Sequence, residues 1–179
     1  MGVTAENVAT KFQVTRQEQD KFALKSQEKA LKAIKENKFK DEITNFKIKS
    51  KKTEIDFNKD EHPRDGINLE GLTRLKPVFQ KDGTVTAGNA SGINDGAAAV
   101  TLMSEEEAKK RDLKKLVTIK SWASCGVEPA LMGTGPIPSS KKALDLAGWS
   151  VNDVDLFEIN EAFAAQSIAV IKTLSIPDE

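Results

Sequence analysis

The 179-residue sequence predicts an α/β chain, with a mainly helical first part followed by βα units that stop before a layered core is complete. Three observations carry that prediction. Helical periodicity dominates the first forty positions. From Gly83 onward, short apolar runs alternate with helical stretches at a spacing that suits parallel crossovers better than hairpins. The back half offers only Val100–Met103, Leu116–Trp122 and Val154–Ile159 as strand material, which is little for a parallel sheet that must be covered on both faces. The final residues, Ser175-Ile176-Pro177-Asp178-Glu179, follow a helix where a further strand is expected.

Taken in order, Ala5 to Phe12 reads as a short helix capped by Thr4. Thr15 with Glu18 forms a capping box, in which the hydroxyl holds one free amide and the carboxylate reaches back to another. The helix that follows carries Phe22, Ala23, Ser26, Ala30, Ala33 and Ile34 on one stripe and stops near Asn37. Residues 40–62 set Ile43, Phe46, Ile48, Ile55 and Phe57 among lysines and acids, the pattern of exposed strands or an extended arm that includes Lys51. His62-Pro63-Arg64-Asp65-Gly66 is turn chemistry. Ser104 and Glu107 make a second capping box for a helix to Asp112, and Leu116 to Trp122 reads as a strand. Residues 133–138 read as a loop, and Ser139 as the cap of a helix that ends at Gly148. The run Val154 to Ile159 then leads into an alanine-rich helix, Glu161 to Leu174.

Composition narrows the function classes. Lysine plus arginine number 27 and aspartate plus glutamate 27, so no global field favours nucleic acid or an anionic membrane. No apolar run approaches the length of a bilayer span, and the first residues resemble no signal peptide. One cysteine, Cys125, excludes an internal disulfide and points to a reducing, cytoplasmic setting. With His62 as the sole histidine, a Cys/His metal site is not expected. Charge is uneven: residues 1–62 hold 14 basic and 11 acidic side chains, whereas residues 144–179 set seven acids against Lys172. Solvated faces on different units are the simpler account of that split.

The most suggestive local motif is Asn160-Glu161-Ala162-Phe163-Ala164, at the carboxyl end of a predicted parallel strand, where open α/β sheets place ligands. An asparagine there can orient a water or a carbonyl. On spacing alone, simple capping of the next helix by Asn160 is the favoured alternative. The stretch 88–96 has glycines every fourth residue but lacks the spacing of a phosphate loop or a dinucleotide site. It suits close backbone packing equally well. Cys125 reads as a core residue, His62 as a loop residue, and Trp122 and Trp149 as core or edge aromatics.

Four blocks resemble successive segments of a thiolase: Met1 to Ala9, Gly88 to Ala99, Met132-Gly133-Thr134-Gly135-Pro136-Ile137-Pro138, and Asn160 to Ala164. The acetyl-CoA C-acetyltransferase (acetoacetyl-CoA thiolase) type is the most similar, and the resemblance runs from Met1 to Leu174. It implies a partial thiolase fold in three parts. Residues 1–93 would be the coenzyme A-binding loop domain, 94–113 the last strand and helix of the N-terminal domain, and 114–179 the first part of the C-terminal domain. The family's nucleophilic cysteine, its Gly-His-Pro histidine and its second catalytic cysteine have no counterpart here, and Cys125 aligns with neither cysteine.

Carried over by position, the resemblance gives Asn160 a catalytic role, holding a water in an oxyanion hole for the thioester oxygen. Ser91 and Gly92 would lie along the pantetheine and Arg64 near the nucleotide, and Ala87 would also bind coenzyme A. Met1, Phe79, Met132, Ala162 and Phe163 would wall the pocket. Gly71 stands where a relative can carry serine. The implied function is acetyl transfer between acetyl-CoA molecules to make or cleave acetoacetyl-CoA, with this segment inactive alone. A non-catalytic coenzyme A-binding or interaction remnant is the alternative. No cofactor is implied, since the coenzyme A thioester is substrate. The implied partners are acetyl-CoA or coenzyme A, weakly bound, and either a second copy or complementing thiolase segments.

Overall fold

Helix formation begins one turn earlier than the sequence predicts. In the computed structural model, which describes residues 1–49 and 53–177, helix α1 spans Gly2–Lys11 and Met1 is its cap residue. The Thr4 hydroxyl does not cap the helix; it donates to the Met1 carbonyl at 2.6 Å. Helix α2, Arg16–Lys35, starts on the predicted box: Thr15 accepts from the Glu18 amide, and the Glu18 carboxylate accepts from the Thr15 amide at 2.7 Å. It ends beside Asn37, which takes the left-handed conformation at φ 56°.

The charged arm folds as two exposed antiparallel strands, β1 (Phe46–Lys49) and β2 (Glu54–Phe57). Their register sets Phe46 opposite Phe57 and Ile48 opposite Ile55, so the four apolar side chains share one face. Lys51 and the terminal Asp178 and Glu179 lie outside the described residues. Helix α3, Leu69–Thr73, capped by the Asn68 side chain, was not expected from the sequence. Helix α4, Glu105–Lys110, keeps half of its predicted box: Ser104 accepts from the Glu107 amide, while the Glu107 carboxylate turns to Arg111.

The predicted loop 133–138 is instead mostly helical. A 3-10 turn covers Pro129–Thr134, and helix α5, Pro136–Ala147, follows directly. Pro136 and its fixed φ suit the first helical turn. Ser139 is therefore inside the helix, donating back to the Gly135 carbonyl at 2.8 Å, and is not its cap. Gly148 closes α5 at φ 70°, as its sequence position implies. Helix α6 spans Ala164–Leu174, three residues later than expected.

Among the described residues, the predicted parallel strands do not form hydrogen-bonded ladders. Residues 100–103, 116–122 and 154–159 are neither helix nor strand, and the only sheet is the β1–β2 ribbon. A strand exists only against a hydrogen-bonded neighbour, and among the described residues these runs have none. Many of their apolar side chains meet solvent, with Leu116 88% exposed, Leu156 86% and Trp122 82%, whereas Val154, Phe157 and Ile159 are half-buried. Trp122 is thus no core residue, and Trp149 is also exposed.

The core gathers around α6. Ala165, Ala169 and Val170 are fully buried, and their small size lets α1, α2 and α5 approach the helix closely. Val8, Leu131 and Ala169 form one cluster; Ile137, Val170 and Leu174 form a second, with Phe12 packed against both. On α2 the most buried residues are polar, Gln19 and Asp20, whereas the predicted apolar stripe is only half-buried. No helix among the described residues is long and apolar enough to cross a membrane.

Candidate functional site

Backbone stitching builds the site. Ala90 and Phe163 form an isolated antiparallel bridge; the Ser91 amide donates to the Ala162 carbonyl at 3.0 Å and the Ala164 amide to the Asn89 carbonyl at 2.9 Å. The small-residue stretch and the Asn160–Ala164 motif, some seventy residues apart, are thereby held side by side.

A cleft of 260 Å³ opens at this seam, lined by Phe22, Ser26, His62, Ser91, Asn160 and Glu161 among others. Asn160 is exposed there. The two residues that follow it are tied down: Glu161 accepts from the Ser26 hydroxyl of α2 at 2.6 Å, and the Ala162 carbonyl from the Ser91 amide. Asn160 does not cap α6. The cap position is Phe163, with no side-chain cap, and no hydrogen bond to the Asn160 side chain occurs among the described residues. The amide that spacing alone assigned to capping is therefore available to the cleft.

The other predicted positions fall into two further groups. Phe79 packs edge-on against Phe163, with ring centroids 6.3 Å apart at 79°. Its ring also lies directly on Gly2, where a Cβ would stand 2.2 Å from Cγ, so only glycine allows this approach. Met1, which precedes Gly2, is exposed. In the second group, Gly92 abuts the His62 ring, with a Cβ position 2.8 Å from its Cε1. Two residues on, the Arg64 amide donates to Gln27 of α2 at 3.0 Å, and its exposed guanidinium has no ion pair among the described residues. Ala87 is exposed at the start of the small-residue stretch, and Met132 is exposed on the 3-10 turn; neither lines the cleft. Cys125 does not line it either.

Three carboxyls outside the cleft are held below their ordinary range. Glu18 is lowered to about 2, chiefly by its hydrogen bond from Lys172 on α6 and then by those from Thr15. Glu105 is lowered first by Lys115, and Asp153 by the Ser150 hydroxyl and amide.

Sequence reasoning missed what holds the seam in place, a set of buried polar groups. Glu6, 3% exposed, accepts from the Thr84 amide at 2.8 Å, from the Thr84 hydroxyl at 2.8 Å and from the Val85 amide at 2.8 Å. Asp20 accepts from Arg16 at 2.8 Å and from the Asn89 amide group at 3.0 Å. Their one sequence signal is Thr84-Val85-Thr86-Ala87-Gly88-Asn89, a polar loop whose backbone donors need acceptors once buried. His62, read as a loop residue, is indeed in a loop but lines the cleft.

With this geometry in view, the comparisons with known proteins decide the family. Residues 1–106 match the thiolase N-terminal domain and residues 113–179 the thiolase C-terminal domain. The chain belongs to the thiolase family. It is 58% identical over 174 residues to the acetyl-CoA acetyltransferase of Rhizobium meliloti, covering 97% of this chain and 44% of that protein. The crystal structure of the Bacillus anthracis acetyl-CoA acetyltransferase superposes with a TM-score of 0.93 at 52% identity, covering 99% of this chain and 45% of that one. The human mitochondrial 3-ketoacyl-CoA thiolase in complex with CoA gives a TM-score of 0.89 at 45% identity, covering 99% of this chain and 44% of that one. The chain thus spans less than half the length of the relatives it matches. Its helices and small sheet are a partial α/β thiolase fold.

Proposed function

We propose that these residues form the coenzyme A-holding and oxyanion-forming part of a thiolase-type acyltransferase, which makes or cleaves acetoacetyl-CoA by acetyl transfer. The observation that carries this reading is the seam itself. Ser91 and Asn160 line one cleft, held 3.0 Å amide to carbonyl through Ala162, and the Asn160 side chain has no hydrogen-bond partner among the described residues. A thin pantetheine arm suits a wall of small residues such as Ala90, Ser91 and Gly92. Condensing two acetyl-CoA molecules passes through an enolate, and a donor aimed at its oxygen acts on charge that develops in the transition state. Asn160 takes that part by holding a water. Arg64, whose guanidinium has no ion pair among the described residues, suits phosphate at the nucleotide end. Phe79, Phe163, Met1, Ala162, Ala87 and Met132 form an apolar wall that extends beyond the cleft lined by Ser91 and Asn160.

Nucleophile and base come, in this reading, from residues outside the 179. Cys125 does not line the cleft, and oxyanion groups without a nucleophile leave little to accelerate. The runs 116–122 and 154–159 pair with further thiolase segments, supplied by the same polypeptide or by another chain, in a reducing, cytosolic compartment. The division 1–93, 94–113 and 114–179 remains our assignment of loop domain, end of the N-terminal domain and start of the C-terminal domain.

Titration of the 179-residue chain with coenzyme A tests the reading. We expect weak binding that Arg64→Ala reduces by about ten- to a hundredfold, the worth of one charge-assisted phosphate contact. Lys110→Ala on α4 should leave it unchanged. Equal binding by wild type and Arg64→Ala removes the placement of the nucleotide. Thiolysis of acetoacetyl-CoA by the purified chain contradicts the absence of nucleophile and base from it.

A further inference from the structure

We propose that Asp20 and Asn89 are positioning residues, which set the gap between the loop bearing Ser91 and the turn bearing Asn160, and so the path of a pantetheine arm between them. The proposal rests on the coenzyme A reading above. Asn89 is 3% exposed and uses nearly its whole hydrogen-bonding capacity. Its side-chain oxygen accepts from the Thr86 amide at 2.8 Å, and its amide group donates to the Thr84 carbonyl at 3.1 Å and to Asp20 at 3.0 Å. Its backbone carbonyl meanwhile accepts from Ala164, the first residue of α6. One residue thus ties helix α2, the small-residue loop and the α6 turn to a common point.

Asp20 is fixed in its turn. It is 1% exposed, and Arg16 bonds it at 2.8 Å while also donating to the Leu72 and Leu75 carbonyls at 2.8 and 2.9 Å. The carboxylate therefore has its charge partner and has no freedom to follow a displaced Asn89. Ser91 is two residues beyond Asn89, and Asn160 four residues before Ala164, so a shift of the tie moves both cleft walls. The nucleotide end is anchored differently, through the Arg64 amide on Gln27. Loss of the tie should consequently act on one end of the ligand only.

Two ligands separate positioning from general stability in the 179-residue chain. Coenzyme A spans both ends, whereas adenosine 3′,5′-bisphosphate lacks the pantetheine arm. In Asn89→Ala and Asp20→Ala we expect coenzyme A to bind about tenfold more weakly, and the bisphosphate to stay within about twofold of wild type. A parallel loss for both ligands, or none for either, overturns the proposal. Amide hydrogen exchange gives a readout that needs no ligand. Protection at Ser91 and Ala164 should fall about tenfold while that within α5 holds, and loss everywhere or at neither site again overturns it. If wild type binds neither ligand, the coenzyme A reading fails, and the exchange data still decide whether Asp20 and Asn89 hold the seam.

Discussion

Two regions of this chain both carry large apolar side chains and give them opposite fates. Around α6, Val8, Val85, Ala169 and Val170 are wholly buried, and even Glu6, Gln19 and Asp20 are withdrawn from water. In 93–122 and 154–159, Ile93, Val100, Leu116, Trp122 and Leu156 are each more than four-fifths exposed. Residue type does not separate the regions; partners do. Helices α1, α2, α5 and α6 satisfy their own backbones and need only a face to pack against. The other runs have strand composition, and a strand satisfies its backbone only through a neighbour.

The sharpest way to break this contrast is to remove one buried acceptor from the packed region. Glu6→Ala leaves the buried Val85 amide and the part-buried Thr84 amide and hydroxyl without their partner. We expect a loss of about 3 kcal/mol, from a few unsatisfied donors at roughly 1 kcal/mol or more each. Leu116→Ala, an ordinary core deletion by sequence, should stay within about 0.5 kcal/mol because the side chain is already in solvent. Urea unfolding of the two variants decides it, and equal losses would end the distinction.

The next effect concerns association. Exposed apolar runs of this extent seldom persist on soluble monomers, so the chain should self-associate as concentration rises. Leu116→Glu combined with Leu156→Glu should raise the concentration needed by about tenfold in sedimentation velocity, whereas Lys110→Glu should not. A wild type that stays monomeric throughout contradicts the idea that these runs require partners.

This contrast also explains what was legible in the sequence. Signals local to one element came through: the Thr15–Glu18 box, the end of α2 at Asn37, Gly148 closing α5, and the exposed β1–β2 ribbon. The motif around Asn160 was legible as a local pattern, but the capping that spacing favoured for Asn160 does not occur, since Phe163 holds the cap position. The start of α5 was misplaced because Ser139 resembles a cap, while Pro136 opens the helix one turn earlier. Strand pairing failed as a prediction because composition describes what a segment can do beside a neighbour, not whether one is present. The Glu6, Asp20 and Asn89 contacts were out of reach for another reason. They join positions 69 to 79 residues apart, and polar side chains on a helix read as a solvated face until the loop they hold is known.

A smaller effect sharpens the packed side. Glu18 on α2 and Lys172 on α6 meet at 2.6 Å, with side chains 39% and 54% exposed. The Glu18 carboxyl is lowered to about 2 in the folded chain, first by that bond and then by Thr15. A lowered folded-state value means its contribution is fully present above the unfolded value near 4.5 and is lost as pH falls through about 2. Solvent screening keeps the contribution below about 1 kcal/mol, less than the shift alone implies. Glu18→Gln preserves the capping box but not the charge, so stability measured from pH 5 down to about 2 should fall less steeply than in wild type. An unchanged slope would mean the ion pair contributes nothing to joining the two helices.

The smallest expected effect is also the most informative about the cleft. If Asn160 capped α6, Asn160→Ala would cost about 1 kcal/mol, the usual worth of such a cap. In the structure Phe163 holds the cap position, and the Asn160 amide is exposed in the cleft without a partner among the described residues. Its removal should change the unfolding free energy by less than about 0.5 kcal/mol, as at any exposed site with no contact to lose. Thermal unfolding of Asn160→Ala beside Asn68→Ala supplies the scale, because Asn68 does cap a helix, accepting from the Gly71 amide at 2.8 Å. A loss at Asn160 as large as at Asn68 would restore the capping account. A loss only at Asn68 would leave Asn160 without a structural reason for its place, as expected of a group whose work is done on a ligand.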